Sequence, residues 1–399
     1  MDFSLTEEQR AWQMKARQFA QDEIAPISLA RDQITDPLET FDWDIIIKGS
    51  RLGFRTAPVA KKWGGHGIDH ISQALVMAEL ARGDSAISKA FSQCWKWSQL
   101  ISAICSDEQK ERFLKPFIAD HSYLLGAGIT EANSGSDSRM PPENDTKAGY
   151  RVRAERVGDD WIINGEKCYI AHGSVGKLFF VFTRTNPNVP MRQGTTLFLV
   201  PRDTPGFRIG KVFNKLGWRY YQNAELIFEN ARVPHANIIG EVDGGARAGS
   251  DETLGFGELE LAANALGVCD AAVDMAMQQA SQIRTTGGYL RDEQRIQLTL
   301  CRMHMLTEAL RSYVMRVAWE RTLAARGDER VRNSVNADLV MAFSRDAIRG
   351  TTMGNLDIQR VTGSMMLAAA DKLYRDAITT HVAGDIVQRL TPMKRLLQS

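Results

Sequence analysis

Chemistry enters this sequence where Gly126-Ala127-Gly128-Ile129-Thr130-Glu131-Ala132-Asn133-Ser134-Gly135-Ser136-Asp137 ends an apolar run in small and hydroxyl-bearing residues. Small side chains let backbone come close to a flat ligand, and free N–H groups there can bond a carbonyl or an anion. The same spelling also suits a plain Gly/Ser connection between domains, and both readings stand at this point. Other reactive residue types are dispersed. The seven histidines form no ligand-spaced cluster, so no metal site is expected. Cys94, Cys105, Cys168, Cys269 and Cys301 are odd in number and contain no C-x-x-C pair, which suits reduced core thiols of a cytoplasmic protein.

The elements that must hold such a site divide the 399 residues into three parts. Helix grammar fills the first: Thr6-Glu7-Glu8-Gln9 and Ser106-Asp107-Glu108-Gln109 spell capping boxes. Trp12, Ala16, Phe19 and Ala20 recur at helical spacing, and Pro26 is expected to end that helix. Leu75 to Arg82 reads as a further helix, and Trp63-Gly64-Gly65-His66-Gly67 as a loop. From about Gly126 to Glu241 the runs are short and β-rich, namely Leu178–Phe182, Thr196–Val200 and Ala224–Phe228. Trp161-Ile162-Ile163 is expected to close at Asn164-Gly165, a turn pair. Long helices are expected again over 250–283, 292–326 and 331–355, with a shorter one after them. Helix, strand, helix in blocks excludes one doubly wound sheet. The expected fold class is α+β multi-domain: an N-terminal helical domain (1–122), a small central β-barrel or sandwich domain (123–242) and a C-terminal four-helix bundle (243–399) packed with the first.

Composition sets the partners. With 49 basic and 48 acidic side chains, net charge +1, there is no field for nucleic acid or an anionic membrane. No uncharged apolar run nears the roughly 18 residues of a membrane span, and the opening Met1-Asp2-Phe3-Ser4-Leu5 carries no signal-peptide pattern.

Seven stretches occur in an order and spacing that resemble the acyl-CoA dehydrogenase family of flavoproteins. They are Val76–Ala86 (VMAELARGDSA), Asp107–Asp120 (DEQKERFLKPFIAD), Gly128–Asp137 (GITEANSGSD), Ile163–Gly173 (INGEKCYIAHG), Lys215–Arg219 (KLGWR), Val233–Glu241 (VPHANIIGE) and Leu373–Ala377 (LYRDA). The resemblance covers nearly the whole chain. It implies a homotetramer with one FAD per subunit and an acyl-CoA or acyl-carrier-protein thioester as substrate, with electron-transfer flavoprotein or oxygen as acceptor. It places Ile129 and Thr130 at the flavin's pyrimidine side, and Ser136 at both flavin phosphate and thioester tail. Tyr169, Ile170 and Ala171 fall along one flavin face. Arg284 is to meet the neighbouring subunit's pyrophosphate, where a guanidinium fork suits the anion. Gln359 and Gly363 are to receive adenine and ribose.

The chain also departs from the family's pattern. Ala383 stands where the catalytic glutamate is expected, and alanine cannot take the α-proton. In the family's alternative base position stands Gly257, with the carboxylate of Glu258 one residue on. Glu258 is the first candidate base, Asp385 the second, with His381 also titratable nearby. Ala171 replaces a hydroxyl residue beside flavin N5, and Gly287 replaces a phenylalanine near Arg284. The loop that is expected to shape the acyl pocket reads Phe91-Ser92-Gln93-Cys94-Trp95-Lys96-Trp97, where Trp95 and Trp97 either wall a short pocket or stack on a cyclic group, or simply fill core at a helix edge. Three functions follow from these departures: α,β-dehydrogenation with a relocated base; a flavin monooxygenase or a non-oxidative elimination on the same fold; or an inactive FAD-binding subunit of a heteromer.

Overall fold

A computed structural model describes residues 4–135, 145–245, 259–332, 334–362, 368–380 and 385–398. Helix α1 (Glu7–Phe19) opens on the expected capping box, Thr6 with Gln9. Pro26 does not stop it. The chain passes through a π turn (Ala20–Ile24) into α2 (Ala25–Gln33), where Pro26 sits in the first turn and needs no N–H partner. The device recurs after the second capping box: α6 (Asp107–Gln109) runs through a π turn (Lys110–Leu114) into α7 (Lys115–Ala119), again with a proline at its start. Between them lie α3 (Trp43–Arg51), α4 (His70–Gly83) and α5 (Ser85–Ile104). Helix α4 starts five residues earlier than Leu75, because Asp69 caps it through Ser72 N–H.

The middle of the chain forms one seven-stranded sheet. Its strands are β1 (Leu125–Gly128), β2 (Arg153–Val157), β3 (Asp160–Ala171), β4 (Leu178–Arg184), β5 (Thr195–Pro201), β6 (Phe207–Val212) and β7 (Asn223–Pro234). They order as β1-β4-β2-β3-β7-β6, with β5 also paired to β4. Asn164-Gly165 is not a hairpin turn. Strand β3 runs through it, and the register against β7 shifts between Ile163 and Gly165. Gly165 takes φ +122°, so the glycine serves a bulge rather than a reversal. A second shift, between Lys167 and Ile170, falls where the candidate flavin-face residues lie.

The C-terminal helices are α8 (Leu259–Gln282), α9 (Gln294–Ala325), short α10 (Glu329–Arg332), α11 (Asn336–Gln359), α12 (Ala368–Thr380) and α13 (Asp385–Gln398). The short final helix expected from sequence is two helices, α12 and α13. Helix α8 packs on α4 as well as on α9 and α11, so the bundle and the N-terminal helices share one core. Gly267 makes this approach possible, since a Cβ there would stand 2.1 Å from the Ala78 carbonyl oxygen. A polar network joins all three parts. Lys372 Nζ pairs with Asp84 (2.9 Å) and Asp376 (2.6 Å), and Asp376 accepts from Trp218 N–H (2.7 Å). Arg375 beside it pairs with Asp32 at 2.5 Å and bonds the Leu216 carbonyl at 2.9 Å.

Candidate functional site

Strand β1 ends at Gly128, and the next three residues are held from below. Glu131 and Lys167 are buried, and Lys167 Nζ lies 2.7 Å from Glu131 Oε1 and 3.1 Å from the Ile129 carbonyl. Burial pulls the Lys167 pKa down to about 8 against the pull of the carboxylate. Glu131 also accepts from the Arg151 N–H (2.7 Å) and Val152 N–H (3.2 Å), which leaves its charge well compensated. Cys168 N–H bonds the Thr130 carbonyl at 2.9 Å. The carbonyls of Ile129 and Thr130 are therefore spent inward. The Thr130 N–H and hydroxyl take no partner among the described residues. Two stretches of sequence, GITEA and GEKCY, thus meet through one buried ion pair. Neither residue of that pair was singled out from sequence.

Beside this strand end, β3 turns through Tyr169, Ile170, Ala171 and His172. Tyr169 (φ +57°) and His172 (φ +55°) both lie in the left-handed region, so the backbone swings twice. Tyr169 is 58% exposed, with one side of its ring 4.3 Å from Phe213. Ile170 is buried in the core of the sheet, and Ala171 is half-buried. His172 is fully buried, and its Nδ1 bonds the Leu125 carbonyl at 3.0 Å. Burial holds its pKa down to about 3, so the ring is neutral, Nδ1 carries the proton, and Nε2 is a lone pair without a partner. Its ring stands 5.1 Å from that of Tyr221. Lys215 reaches the Tyr221 carbonyl and Asn223 Oδ1 (2.6 Å); the enclosed ammonium is held down to about 7, and the nearest relief is Asp376.

Trp95 and Trp97 lie in mid-helix on α5, not on a loop. Trp95 is fully buried and spends its Nε1–H on the Phe54 carbonyl (2.7 Å). Trp97 packs its ring 4.7 Å from Phe180. Lys96 lies half-buried over the Trp97 ring at 5.6 Å. The arrangement is the core-filling one. Arg284 and Gln359 lie on C-terminal elements. Arg284 lies on β8 (Arg284–Thr285), exposed, 4.9 Å over Tyr289 of β9 (Gly288–Tyr289) and with no acidic partner among the described residues. Gln359 closes α11, with its Nε2 on the Met275 carbonyl at 3.2 Å. Ser136, Glu258, Gly363, His381 and Ala383 lie outside the described residues; Asp385 is the first residue of α13. The described carboxylate nearest in sequence to Glu258 is Glu260, buried and paired with Lys89. It went unremarked in sequence, where its place on the helix gave no sign of burial.

The described residues fit a flavin. Thr130 keeps an unspent N–H and hydroxyl at a strand end, Tyr169 offers an exposed aromatic face, and Arg284 is an exposed guanidinium free for an anion. Among the described residues there is no group of His, Cys, Asp and Glu able to hold a metal.

The models of the acyl-CoA dehydrogenase N-terminal, middle and C-terminal domains match residues 6–121, 126–231 and 245–342. A probable acyl-CoA dehydrogenase of Bacillus subtilis is 30% identical over the whole of both chains. A short-chain-specific acyl-CoA dehydrogenase of Clostridium acetobutylicum is 31% identical over 80% of each. The solved butyryl-CoA dehydrogenase of Megasphaera elsdenii superposes with a TM-score of 0.89 over the full length of both, at 28% identity.

Proposed function

Because the chain belongs to the acyl-CoA dehydrogenase family of FAD-dependent enzymes, we propose that it oxidises an acyl-CoA thioester to the 2-enoyl thioester with a relocated base. The observation that carries this is the strand end at Thr130, pinned by Lys167–Glu131 and flanked by exposed Tyr169. Bound FAD supplies the acceptor for the hydride that leaves the β carbon. Thr130 bonds the flavin's pyrimidine edge through its N–H and hydroxyl, with Ile129 beside it, while Tyr169, Ile170 and Ala171 line one face. Ser136 meets flavin phosphate and the thioester tail. A carboxylate takes the α-proton, and the electron pair of that C–H bond becomes the new double bond. Glu258 is the first choice, one residue before α8; Asp385, at the start of α13, is the second.

Arg284 and Gln359 with Gly363 serve the FAD of a neighbouring subunit, in a homotetramer. The exposed apolar side chains of the C-terminal helices support this. Electron-transfer flavoprotein is the proposed acceptor. Four of the five cysteines are buried and all are free, which supports residence in the reducing cytoplasm.

The test is Glu258→Gln and Asp385→Asn, with flavin reduction followed anaerobically and FAD content measured. Loss of the base should slow reduction roughly 10²–10⁴-fold with FAD retained. If both variants reduce at the parent rate, neither takes the proton, and elimination or oxygenation becomes the better reading.

A further inference from the structure

Strand β3 leaves its ladder just where Tyr169 stands. Lys167 pairs with Leu226 and Ile170 with Ala224, so the register against β7 passes over Cys168 and Tyr169. Tyr169 also takes φ +57°, a region that bulky side chains avoid and that persists only where the surroundings over-determine it. A side chain does there what the ladder does not. Asn223 Nδ2 donates to the Tyr169 carbonyl at 2.7 Å. Asn223 opens β7, and its backbone is in register with Ala171, two residues past Tyr169. The other end of its amide, Oδ1, accepts from Lys215 Nζ at 2.6 Å. An ammonium only donates and a carbonyl only accepts. The chain Lys215–Asn223–Tyr169 therefore admits one orientation of the amide, oxygen to Lys215 and nitrogen to Tyr169. Lys215 is fixed in turn by its bond to the Tyr221 carbonyl. The Phe213 N–H closes the connection between β6 and β7 on the Asn223 carbonyl at 2.9 Å. From that same connection the Phe213 ring stands 4.3 Å from the ring of Tyr169.

We propose that the β6–β7 connection is a clamp on Tyr169, in which Asn223 and Lys215 are positioning residues that hold the tyrosine ring against the flavin. The inference rests on the placement of Tyr169 along one flavin face, given above. Asn223 and Lys215 act through the Tyr169 backbone. With that carbonyl tied, the direction in which the side chain leaves the strand is set, and Phe213 limits the swing of the ring. A site group is held this closely only when its own supports are fixed.

The experiment uses the FAD-loaded protein, freed of unbound FAD by gel filtration, and reads flavin fluorescence rather than turnover. A tyrosine ring in contact with an isoalloxazine quenches its emission, because an electron passes from the ring to the excited flavin and back. The quenching falls steeply with separation. Tyr169→Leu should raise the emission severalfold, which sets the scale. Asn223→Asp keeps the size and the contact with Lys215 but turns an oxygen without a proton toward the Tyr169 carbonyl. Lys215→Met removes the charge that orients the amide. Each should recover a large part of the Tyr169→Leu rise although the tyrosine itself is intact. Where one of the two fails to fold, the other decides. Asn223→Asp with parent emission overturns the clamp and leaves the placement of Tyr169 standing. Lys215→Met with parent emission strikes Lys215 from it. Unchanged emission in Tyr169→Leu removes the placement of Tyr169 on the flavin, and this inference with it.

Discussion

Single residues in this protein do two jobs: they place unspent donors at the strand end, and they neutralise what is buried beneath it. His172 shows the second. Its Nδ1–H is committed to the Leu125 carbonyl and burial holds it neutral, with a pKa near 3. The unfolded chain binds its proton near the ordinary value, about 6.5. Between these values the unfolded state carries the extra proton, so stability falls as pH drops from about 6.5 towards 3, by up to the order of 5 kcal/mol. His70, held down to about 4, adds to the same slope. His172→Asn keeps a donor for Leu125 and tolerates the φ of +55°. Denaturant titrations across that range should show a flatter acid slope for the variant, while an unchanged slope would remove His172 as its source. The Lys167–Glu131 pair gives a second check. Glu131→Ala leaves Lys167 buried without compensation and should lower stability by about 3–5 kcal/mol, read as a shift of the urea midpoint, with weaker FAD retention.

At the scale of elements, the three parts are fastened by contacts far apart in sequence. The network of Asp84, Lys372 and Asp376 caps α5, anchors α12 and fixes the turn at Trp218. Lys372→Met would leave two buried carboxylates facing each other, and should cost about 3–5 kcal/mol. Adding Asp376→Asn removes one of those charges and should recover part of the loss, a coupling that a double-mutant cycle measures. Additive effects would mean the two side chains do not act together. None of this was legible in the sequence beyond the stretches GDSA, GWR and LYRDA, whose relation appears only once α12 packs against α2 and α5's start. Local order was far more legible. Capping boxes, block order and the strand runs all follow from nearest-neighbour patterns. The misreadings share one cause: Pro26 and Asn164-Gly165 look like breaks locally, but a π turn and a bulge absorb them because the flanking core holds the chain on course. The strand end at Thr130 was found by its small residues, whereas Glu131 and Lys167 beneath it were missed because burial of a polar side chain leaves no periodic trace.

For the whole molecule, exposed apolar side chains gather on the C-terminal helices: Met277, Leu298, Met305, Met353 and Leu390 among them. Arg284 and Gln359 lie on the same part of the chain. Buried together, such residues make an interface between copies, and sedimentation of the FAD-loaded protein should give a tetramer, with Arg284→Ala lowering FAD retention. A monomer that binds FAD tightly would contradict that arrangement. Among the described residues no helix is long and apolar enough to cross a membrane. The central claim is the oxidation of an acyl thioester, and anaerobic titration of the FAD-loaded protein with short acyl-CoA thioesters tests it most directly. The account predicts that the flavin absorbance near its oxidised maximum bleaches and that the 2-enoyl thioester appears in equal amount. Flavin that stays oxidised with every thioester, while remaining reducible by dithionite, would contradict it.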